Sequence, residues 1–462
     1  SSTAVHTTAD GTTTTATIDS LSPGLLYSFA VSAVSAAGEG EQSAVLAQSS
    51  SPGAPATGPT SSLQTSTTIS LSWSAPSSDG SSGSDATGYR LYDVSGGSAV
   101  VLYSGSSTAF EQTGLTAGAS YSYEVSAVSD AGESPTTSPL VQYTAPSAPT
   151  ALGSSAWTTT SYQIDWVAPS VAASAPAVSG YTLYERVTYE MNDVGTSGAI
   201  PDDVLQTMLS QSTDTVVVDT VAYDGRASTA VTTTLSGLTG GASTSYVVAA
   251  RSSAGEGDRS SALSVSTSPP APGTLASVLQ TTSSITLSWS APVVTTGVAV
   301  TGYNLYIDDG SSGTPDTLVT TCSGAALDTG CSATGLDGGV TYSFKVSALS
   351  TAGESDASSV FAEMTAPAAV AGSMVFSSVT MTGMVLTWTA PSGAAPTGYI
   401  VYRDDGDSSA MPTPSIVAYD GAGSTALTAP VTGLTGGTTY TFHITALSAA
   451  GISDVGTESS QS

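Results

Sequence analysis

Histidine is the first residue type to consider for catalysis, because its side chain changes charge near neutral pH. The chain has two histidines, His6 and His443. His443 stands between Phe442 and Ile444, which an alternating strand would turn inward, so its side chain is expected to point outward from the strand. A Ser/His/Asp site needs an oriented imidazole in a pocket. We therefore predict that the chain is not an enzyme, and we assign no catalytic or cofactor-binding residue.

Clustered aspartates are the nearest approach to a metal site. Asp404, Asp405 and Asp407 surround Gly406, and an Asp-Asp-Gly run at 308–310 repeats the pattern. Calcium takes about six to eight oxygen ligands, and such a cluster would supply the first of them. Asp-Gly after a strand is also a hairpin-turn signal. We favour the turn and keep the three aspartates as weak calcium candidates.

Cys322 and Cys331 lie close together in a segment that is expected to be a loop. A disulfide within that loop is our preferred interpretation, and two free thiols are the alternative. Because disulfides persist in oxidising compartments, the pair favours an extracellular location, either secreted or at the cell surface.

Basic residues are scarce, since Lys and Arg total 7 against 36 Asp and Glu, for a net charge of −29. Nucleic acid is therefore excluded as a partner, because phosphate binding requires cations that this chain lacks. No apolar run reaches the roughly 18 residues of a membrane span. Ser and Thr are abundant, and outward hydroxyls leave O-linked glycans open beside plain solvation.

One unit recurs along the chain. Its five copies occupy residues 21–39, 115–133, 238–256, 336–354 and 434–452. In the second copy Tyr121, Tyr123, Val125 and Ala127 alternate with polar residues, which is the period of a strand with one buried face. A repeat of this kind predicts an array of similar modules rather than one domain.

A tyrosine stands near the start of each unit and is predicted to lie in the core. The five are Tyr27, Tyr121, Tyr246, Tyr342 and Tyr440. In four copies a leucine stands six positions earlier. This spacing resembles the tyrosine corner of sandwich domains, where the phenol bonds back to the preceding backbone. In the third copy the gap from Leu238 to Tyr246 is two residues longer, so that corner is the least certain.

A second recurring segment carries tryptophan. Ile69, Leu71 and Trp73 alternate as a strand that ends at Ala75-Pro76, because proline cannot continue a ladder. The core tryptophans predicted in this way are Trp73, Trp166, Trp289 and Trp388. With the Gly-Tyr-x-Leu-Tyr segment that follows and the Ala-Gly-Glu after the corner, the set resembles a fibronectin type III domain. The resemblance covers essentially the whole chain. It implies an all-β fold of tandem seven-stranded antiparallel β-sandwiches, immunoglobulin-like, in a linear rod.

The repeats divide the chain into one partial and four complete modules. The predicted bounds are 1–49 for the partial module and 50–144, 145–268, 269–365 and 366–462 for the complete ones. Residues 1–49 hold only the C-terminal half of a module and lack the tryptophan strand. We expect that either chain upstream of Ser1 or a strand from a neighbouring chain completes this sandwich.

The module 145–268 is longer than its neighbours because of an insertion near 190–216. Within it, residues 201–209 have apolar residues at helical spacing and acids near the start, which predicts a short helix. A loop inserted in a scaffold is a plausible place for binding. Decoration that covers an edge strand is the alternative.

Short, proline-stiffened junctions at 144–146 and 365–367 predict a semi-rigid rod. We predict an extracellular structural or architectural protein, a subunit of a surface filament, stalk or adhesin, whose partners are other protein chains through self-assembly. The alternative is a ligand- or carbohydrate-recognition ectodomain, or accessory modules of a larger secreted enzyme or receptor. Binding would then map to the insertion or to Trp157.

Overall fold

A computed structural model describes residues 4–77, 85–190, 201, 204, 207, 215–294, 298–311, 313–323, 327–404, 406 and 416–462. By its internal contacts the chain divides into two compact units. The first comprises residues 1–153, 164–233 and 245–263, and the second comprises 154–163, 234–244 and 264–462. Each unit is described by itself below.

The partial module consists of two antiparallel strand pairs. Its strands are β1 Leu26–Phe29, β2 Val34–Ser35, β3 Gly38–Glu39 and β4 Leu46–Ser49. β1 pairs with β4, and β2 pairs with β3. Val31 is 73% exposed, whereas Val125 at the same place in the next repeat is fully buried. The apolar face of this half module is therefore uncovered in the structure. Completion of this sandwich by upstream chain or by a strand from a neighbouring chain stays a prediction.

The module 50–144 shows the complete arrangement. Its strands are β5 Thr57–Gln64, β6 Ile69–Ser74, β7 Gly88–Asp93, β8 Val100–Gly105, β9 Ala109–Gln112, β10 Ser120–Ser129, β11 Gly132–Glu133 and β12 Leu140–Tyr143. One sheet has the order β5-β6-β9, and the other has the order β11-β10-β7-β8 with β12 also paired to β10. β11 and β12 are two pieces of one final strand. The sandwich is thus seven-stranded, as predicted.

The module 145–268 repeats this topology with a longer central hairpin. Its strands are β13 Thr150–Ser155, β14 Ser161–Val167, β15 Gly180–Glu190, β16 Thr215–Gly225, β17 Thr232–Ser236, β18 Ser243–Ser252, β19 Gly255–Arg259 and β20 Leu263–Ser266. The sheets have the orders β13-β14-β17 and β16-β15-β18-β19, with β20 on β18. β15 and β16 each have 11 residues, against 6 in β7 and β8.

The module 269–365 has the same two sheets. Its strands are β21 Ala276–Gln280, β22 Ser284–Ser288, β23 Gly302–Ile307, β24 Thr317–Leu318, β25 Gly330–Thr334, β26 Thr341–Ser350, β27 Gly353–Glu354 and β28 Phe361–Met364. The orders are β21-β22-β25 and β24-β23-β26-β27, with β28 on β26. A single 3₁₀ turn, Thr320–Cys322, follows β24.

The module 366–462 closes the array. Its strands are β29 Val375–Ser377, β30 Gly383–Thr387, β31 Gly398–Arg403, β32 Ile416–Gly421, β33 Thr428–Thr432, β34 Tyr440–Ser448, β35 Gly451–Ile452 and β36 Ser459–Gln461. The orders are β29-β30-β33 and β32-β31-β34-β35, with β36 on β34. The predicted fold class of tandem antiparallel sandwiches is confirmed. The linear rod stays a prediction.

The tryptophan strand and the Gly-Tyr strand of each complete module meet in its core. The four tryptophans are 3–7% exposed. The Trp73 ring lies edge-on to the Tyr89 ring with centroids 5.9 Å apart, and Trp166 meets Tyr181 in the same way at 5.3 Å. The pairs Trp289–Tyr303 and Trp388–Tyr399 repeat this contact at 5.5 and 5.3 Å. Edge-to-face packing is favourable because it places the positive edge of one ring against the negative face of the other. The same aromatic contact thus recurs in the core of every complete module.

Candidate functional site

Neither histidine belongs to a catalytic arrangement among the described residues. His6 is exposed. His443 lies on the outward side of β34, and its Nε2 is 3.1 Å from the Glu458 carboxylate. Among the described residues, no hydroxyl nucleophile contacts that pair, so it offers no Ser/His/Asp geometry.

The aspartate pattern forms a turn where the structure describes it. Asp308 Oδ1 accepts hydrogen bonds from the N–H groups of Gly310 at 3.2 Å and Ser343 at 3.0 Å, and Gly310 has φ 79°. The expected turn is therefore present at 308–310.

Asp404 occupies the same place in the last module and is 1% exposed. Asp405 and Asp407 lie outside the described residues, so the calcium alternative there is not tested and stays a prediction. Within the described ranges, no group of three or more His, Cys, Asp and Glu side chains is placed to hold a metal ion.

Cys322 and Cys331 form a disulfide, with their Cα atoms 5.7 Å apart. The bond ties the 3₁₀ turn after β24 to β25, so it joins an edge of each sheet of the module 269–365. Both half-cystines pack against the core of that module.

Four of the five predicted corner tyrosines make the corner bond. The phenol oxygens accept backbone N–H groups five residues earlier, in the pairs Ser22–Tyr27, Thr116–Tyr121, Asp337–Tyr342 and Thr435–Tyr440, at 2.8–3.0 Å. Tyr342 and Tyr440 are buried, and Tyr27 and Tyr121 are half-buried.

The prediction for the third corner is wrong about which residue occupies it. Tyr246 pairs with Glu185 on β15, and the residue at that place in the module 50–144 is Tyr123, which pairs with Asp93. Tyr246 is thus a core residue, 2% exposed, one inward position beyond the corner. Thr244 takes the corner position, six residues after Leu238. The third copy therefore has the same six-residue spacing as the other copies, but a threonine instead of a tyrosine stands at its corner position.

The insertion of the module 145–268 adds a small apolar cluster beside the sandwich. Val204, which is helical and 5% exposed, packs against Tyr189 of β15 and Val216 and Val218 of β16. Thr207 is also helical, whereas Pro201 is not. The other residues of the segment predicted as a helix lie outside the described residues. The cluster covers the extended end of the β15–β16 hairpin, which favours decoration of an edge strand. Trp157, the exposed aromatic noted above, is 47% exposed.

An ion cluster lies midway along the same hairpin. The Asp219 side chain is 4% exposed and accepts two hydrogen bonds from the Arg186 guanidinium, at 2.8 and 2.7 Å. Arg259 also donates to Asp219, and its guanidinium lies 4.2 Å from the centroid of the Tyr184 ring. The hydrogen bonds from Arg186 hold the pKa of Asp219 below its usual range. Paired in this way, the arginines stabilise the hairpin.

The module junctions carry a set of contacts that the sequence reasoning missed. In each, a hydroxyl in the first turn of one module donates to an aspartate of the next module. The pairs are Ser66–Asp258, Thr159–Asp356 and Thr282–Asp454. The members of each pair lie inside one compact unit. A repeat alignment could have found them, because in the last three copies an aspartate stands three residues after the Gly of the Ala-Gly turn.

The alanine that links two modules makes two backbone hydrogen bonds to the preceding module. Ala366 is fully buried; its N–H donates to Thr281 O at 3.0 Å, and its carbonyl accepts from Gly339 N at 2.8 Å. Ala145 makes the same two bonds, to Thr65 and Gly118, at 3.0 and 2.9 Å. The linker is therefore part of the folded structure rather than a tether.

A glycine of the corner turn completes the junction. Gly339 has φ 71°, and its carbonyl accepts from Ala394 N of the next module at 2.8 Å. Gly118, with φ 62°, accepts from Ala172 N at 2.9 Å in the same way. A Cβ on Gly118 would lie 2.9 Å from Val171 Cγ1, so a larger residue would crowd this approach in addition to straining the backbone.

The chain belongs to the fibronectin type III family. The family model described as "Fibronectin type III domain" matches residues 53–143, 268–363 and 367–462. No helix among the described residues has the length and apolar character needed to cross a membrane.

Among curated proteins, the chain is similar to two proteins named as glucanases and one named as a chitinase. It is 28% identical over 328 residues to Exoglucanase B of Cellulomonas fimi, covering 67% of this chain and 25% of that protein. It is 40% identical over 141 residues to Chitinase A1 of Niallia circulans, covering 28% and 18%. It is 31% identical over 301 residues to Endoglucanase B of Cellulomonas fimi, covering 62% and 25%. The chain thus spans a quarter or less of the length of these relatives.

Proposed function

We propose that the chain is a non-catalytic accessory region of a larger extracellular enzyme that degrades a polysaccharide, where it holds neighbouring domains at a set spacing. The observation that carries this proposal is the repeated junction, in which Ser66, Thr159 and Thr282 each bond an aspartate of the following module. Three boundaries fixed by the same residue types are what a spacer requires, because a spacer works only if its joints do not swing freely.

Two further observations support this proposal. The relatives named exoglucanase, chitinase and endoglucanase are four or more times longer than the region they share with this chain. The Cys322–Cys331 disulfide supports an extracellular location, since such bonds persist in oxidising surroundings. No catalytic activity is assigned to the chain itself.

The test joins a polysaccharide hydrolase domain to a carbohydrate-binding domain through this chain, and in a matched protein through a Gly/Ser linker of equal length. We expect faster hydrolysis of insoluble polysaccharide with this chain and equal rates on a soluble oligosaccharide. Equal rates on both substrates would remove the spacer role.

A second experiment distinguishes carbohydrate recognition from the spacer role. The chain alone is incubated with microcrystalline cellulose and with chitin, and each suspension is centrifuged. We expect the chain to stay in the supernatant. Recovery in the pellet, lost on replacing Trp157 or deleting the insertion, would assign recognition instead.

Self-assembly into a filament, stalk or adhesin and O-linked glycans on the outward Ser and Thr stay predictions. Sedimentation at high protein concentration and intact-mass measurement of the native material test them. A single monomeric species with the mass of the bare chain would contradict both.

A further inference from the structure

A glutamate organises the outer face of the four-stranded sheet in the module 50–144. The Glu133 carboxylate accepts hydrogen bonds from Arg90, Tyr92 and Ser126. Arg90 and Tyr92 lie on β7, Ser126 lies on β10, and Glu133 lies on β11. One acid therefore ties three neighbouring strands together on the side away from the core.

The next two modules have the same arrangement. Glu256 accepts a hydrogen bond from the Tyr184 phenol at 2.6 Å and pairs with Arg251. Glu354 accepts a hydrogen bond from the Tyr306 phenol, also at 2.6 Å. In each module the glutamate directly follows the glycine of the turn.

The module 366–462 keeps the tyrosine of this network and lacks its acid. Ile452 follows the turn glycine, where all four other repeats have glutamate, and it is 55% exposed. Ile400 pairs with Thr445 as Arg90 pairs with Ser126, so a second isoleucine takes the place of the arginine. Both charged members of the network are thus replaced by apolar residues.

The replacement leaves a buried hydroxyl without an acceptor. Thr445 is 4% exposed, and its Oγ1 has no hydrogen-bond partner among the described residues. At the equivalent places, Ser126 and Ser347 donate to their glutamates. Because an unpaired buried hydroxyl costs free energy, the stability of the module gives no reason for the isoleucine. Local rules of this kind are broken mainly at functional sites.

The two isoleucines belong to a larger apolar surface. Val417 pairs with the tyrosine of the network and is 53% exposed. Val455, which is 55% exposed, stands four residues after the turn glycine, the position of Arg259 in the module 145–268. The surface, which we call the Ile452 face, consists of Ile400, Tyr402, Val417, Ile452 and Val455.

Charge is confined to the edges of the Ile452 face. Asp420 pairs with Ile400 at one edge, and Glu458 contacts His443 at the other. The module has a single arginine, Arg403, whose guanidinium lies 5.3 Å from the centroid of the Tyr440 ring. The middle of the face therefore offers apolar contact and no ion pair.

We propose that the Ile452 face binds the same face of a second copy of this chain in a two-fold contact. Such a contact requires a self-complementary surface, and two uncharged faces match each other. Elsewhere the net charge of −29 makes two copies repel wherever acids meet. A partner selected by its charge would bind another surface, because this face offers it no opposite charge.

The dimer should be weak. Five side chains cover far less than the roughly 800 Å² per partner of a standard interface, so we expect a dissociation constant on the order of 100 μM. The inference names a surface for the self-assembly predicted above and does not depend on the spacer role.

Sedimentation equilibrium of the full chain, from about 10 μM to about 1 mM, provides the test. The average mass should rise from that of one chain toward that of two. Ile452→Glu introduces the residue of the other repeats and supplies an acceptor for Thr445 and Tyr402, so the module should fold. The new charge lies in the middle of the contact and should weaken association by at least about tenfold.

Ile452→Leu keeps the apolar contact and should preserve association. Val375→Glu adds the same charge at a 63% exposed position of β29, in the other sheet, and should also preserve it. Val417→Glu provides a second disrupting variant if Ile452→Glu does not fold.

A parent chain that stays monomeric up to about 1 mM would overturn the proposal. Association of a folded Ile452→Glu or Val417→Glu chain as strong as that of the parent would overturn it too. Neither result bears on the hydrolysis comparison that tests the spacer role, so the two proposals fail separately.

Discussion

The hydroxyl of Thr159 donates a 2.6 Å hydrogen bond to the carboxylate of Asp356, across 197 positions of sequence. The same bond recurs at Thr282–Asp454 and Ser66–Asp258. Because the aspartates are exposed, each bond is expected to contribute little to the free energy of unfolding of a module. We expect its main effect to be on the orientation of one module against the next.

Replacing the junction hydroxyl should loosen the joint without unfolding the modules. Val278 and Val375, each 63% exposed, are changed to cysteines that carry spin labels on either side of the Thr282–Asp454 bond. Electron–electron resonance should give a narrow distance distribution that broadens in Thr282→Ala. The free energy of unfolding should change by less than about 1 kcal/mol.

Thr282→Ser keeps the hydroxyl and is the control for that experiment. It should preserve the narrow distribution. If Thr282→Ala gives a distribution as narrow as the parent chain, the bond does not fix the joint.

The two tyrosines at the start of β10 should respond in opposite ways to loss of their hydroxyl groups. The Tyr121 phenol accepts the Thr116 N–H at 2.9 Å, so Tyr121→Phe leaves that donor without its partner and should cost about 1 kcal/mol. Tyr123 is fully buried, and its hydroxyl has no hydrogen-bond partner among the described residues. Burial raises the pKa of Tyr123. Tyr123→Phe should therefore be neutral or stabilising.

Chemical denaturation of the two variants measures this difference. The module 50–144 should unfold earlier in Tyr121→Phe and no earlier in Tyr123→Phe. A loss of stability in Tyr123→Phe comparable with that in Tyr121→Phe would mean that the buried hydroxyl is satisfied.

The β15–β16 hairpin should lose local stability in acid. The pKa of Asp219 is lowered chiefly by the hydrogen bonds from Arg186, so the unfolded chain takes up the proton first as the pH falls. The carboxylate's contribution is fully present above the ordinary value of about 4 and is lost as the pH falls through the lower folded value.

Amide protection factors across the hairpin between about pH 2 and 6 check this. Asp219→Asn should lower protection at neutral pH and remove its acid dependence. Asp224→Asn is the control, because Asp224 is 45% exposed and pairs with an Arg226 that is 60% exposed, and such pairs contribute little. Equal effects of the two substitutions would show that Asp219 does not hold the hairpin.

Reduction of the Cys322–Cys331 disulfide should destabilise one module. A loop this short gains about 2–3 kcal/mol from closure. Hydrogen exchange should accelerate in β25 on reduction and stay unchanged in β33, its counterpart in the module 366–462. The double variant Cys322→Ala, Cys331→Ala should behave like the reduced chain. Unchanged exchange in β25 would show that packing alone holds this edge.

The sequence by itself determined the modules and their strands, because alternation with period two is a local property. Ile69, Leu71 and Trp73 indicated a half-buried strand, and the leucine six residues before Tyr121 indicated the corner. Both features are visible within a few neighbouring residues. The disulfide was also accessible, since Cys322 and Cys331 are the only cysteines.

The tertiary structure decided what depends on register and on distant partners. Tyr246 was misplaced because only its pairing with Glu185 shows which inward position it fills. Asp356 gains its role from Thr159 in another module, and no local pattern signals a partner so far away. Pairing and packing are properties of the folded chain, so strand patterns alone could not supply them.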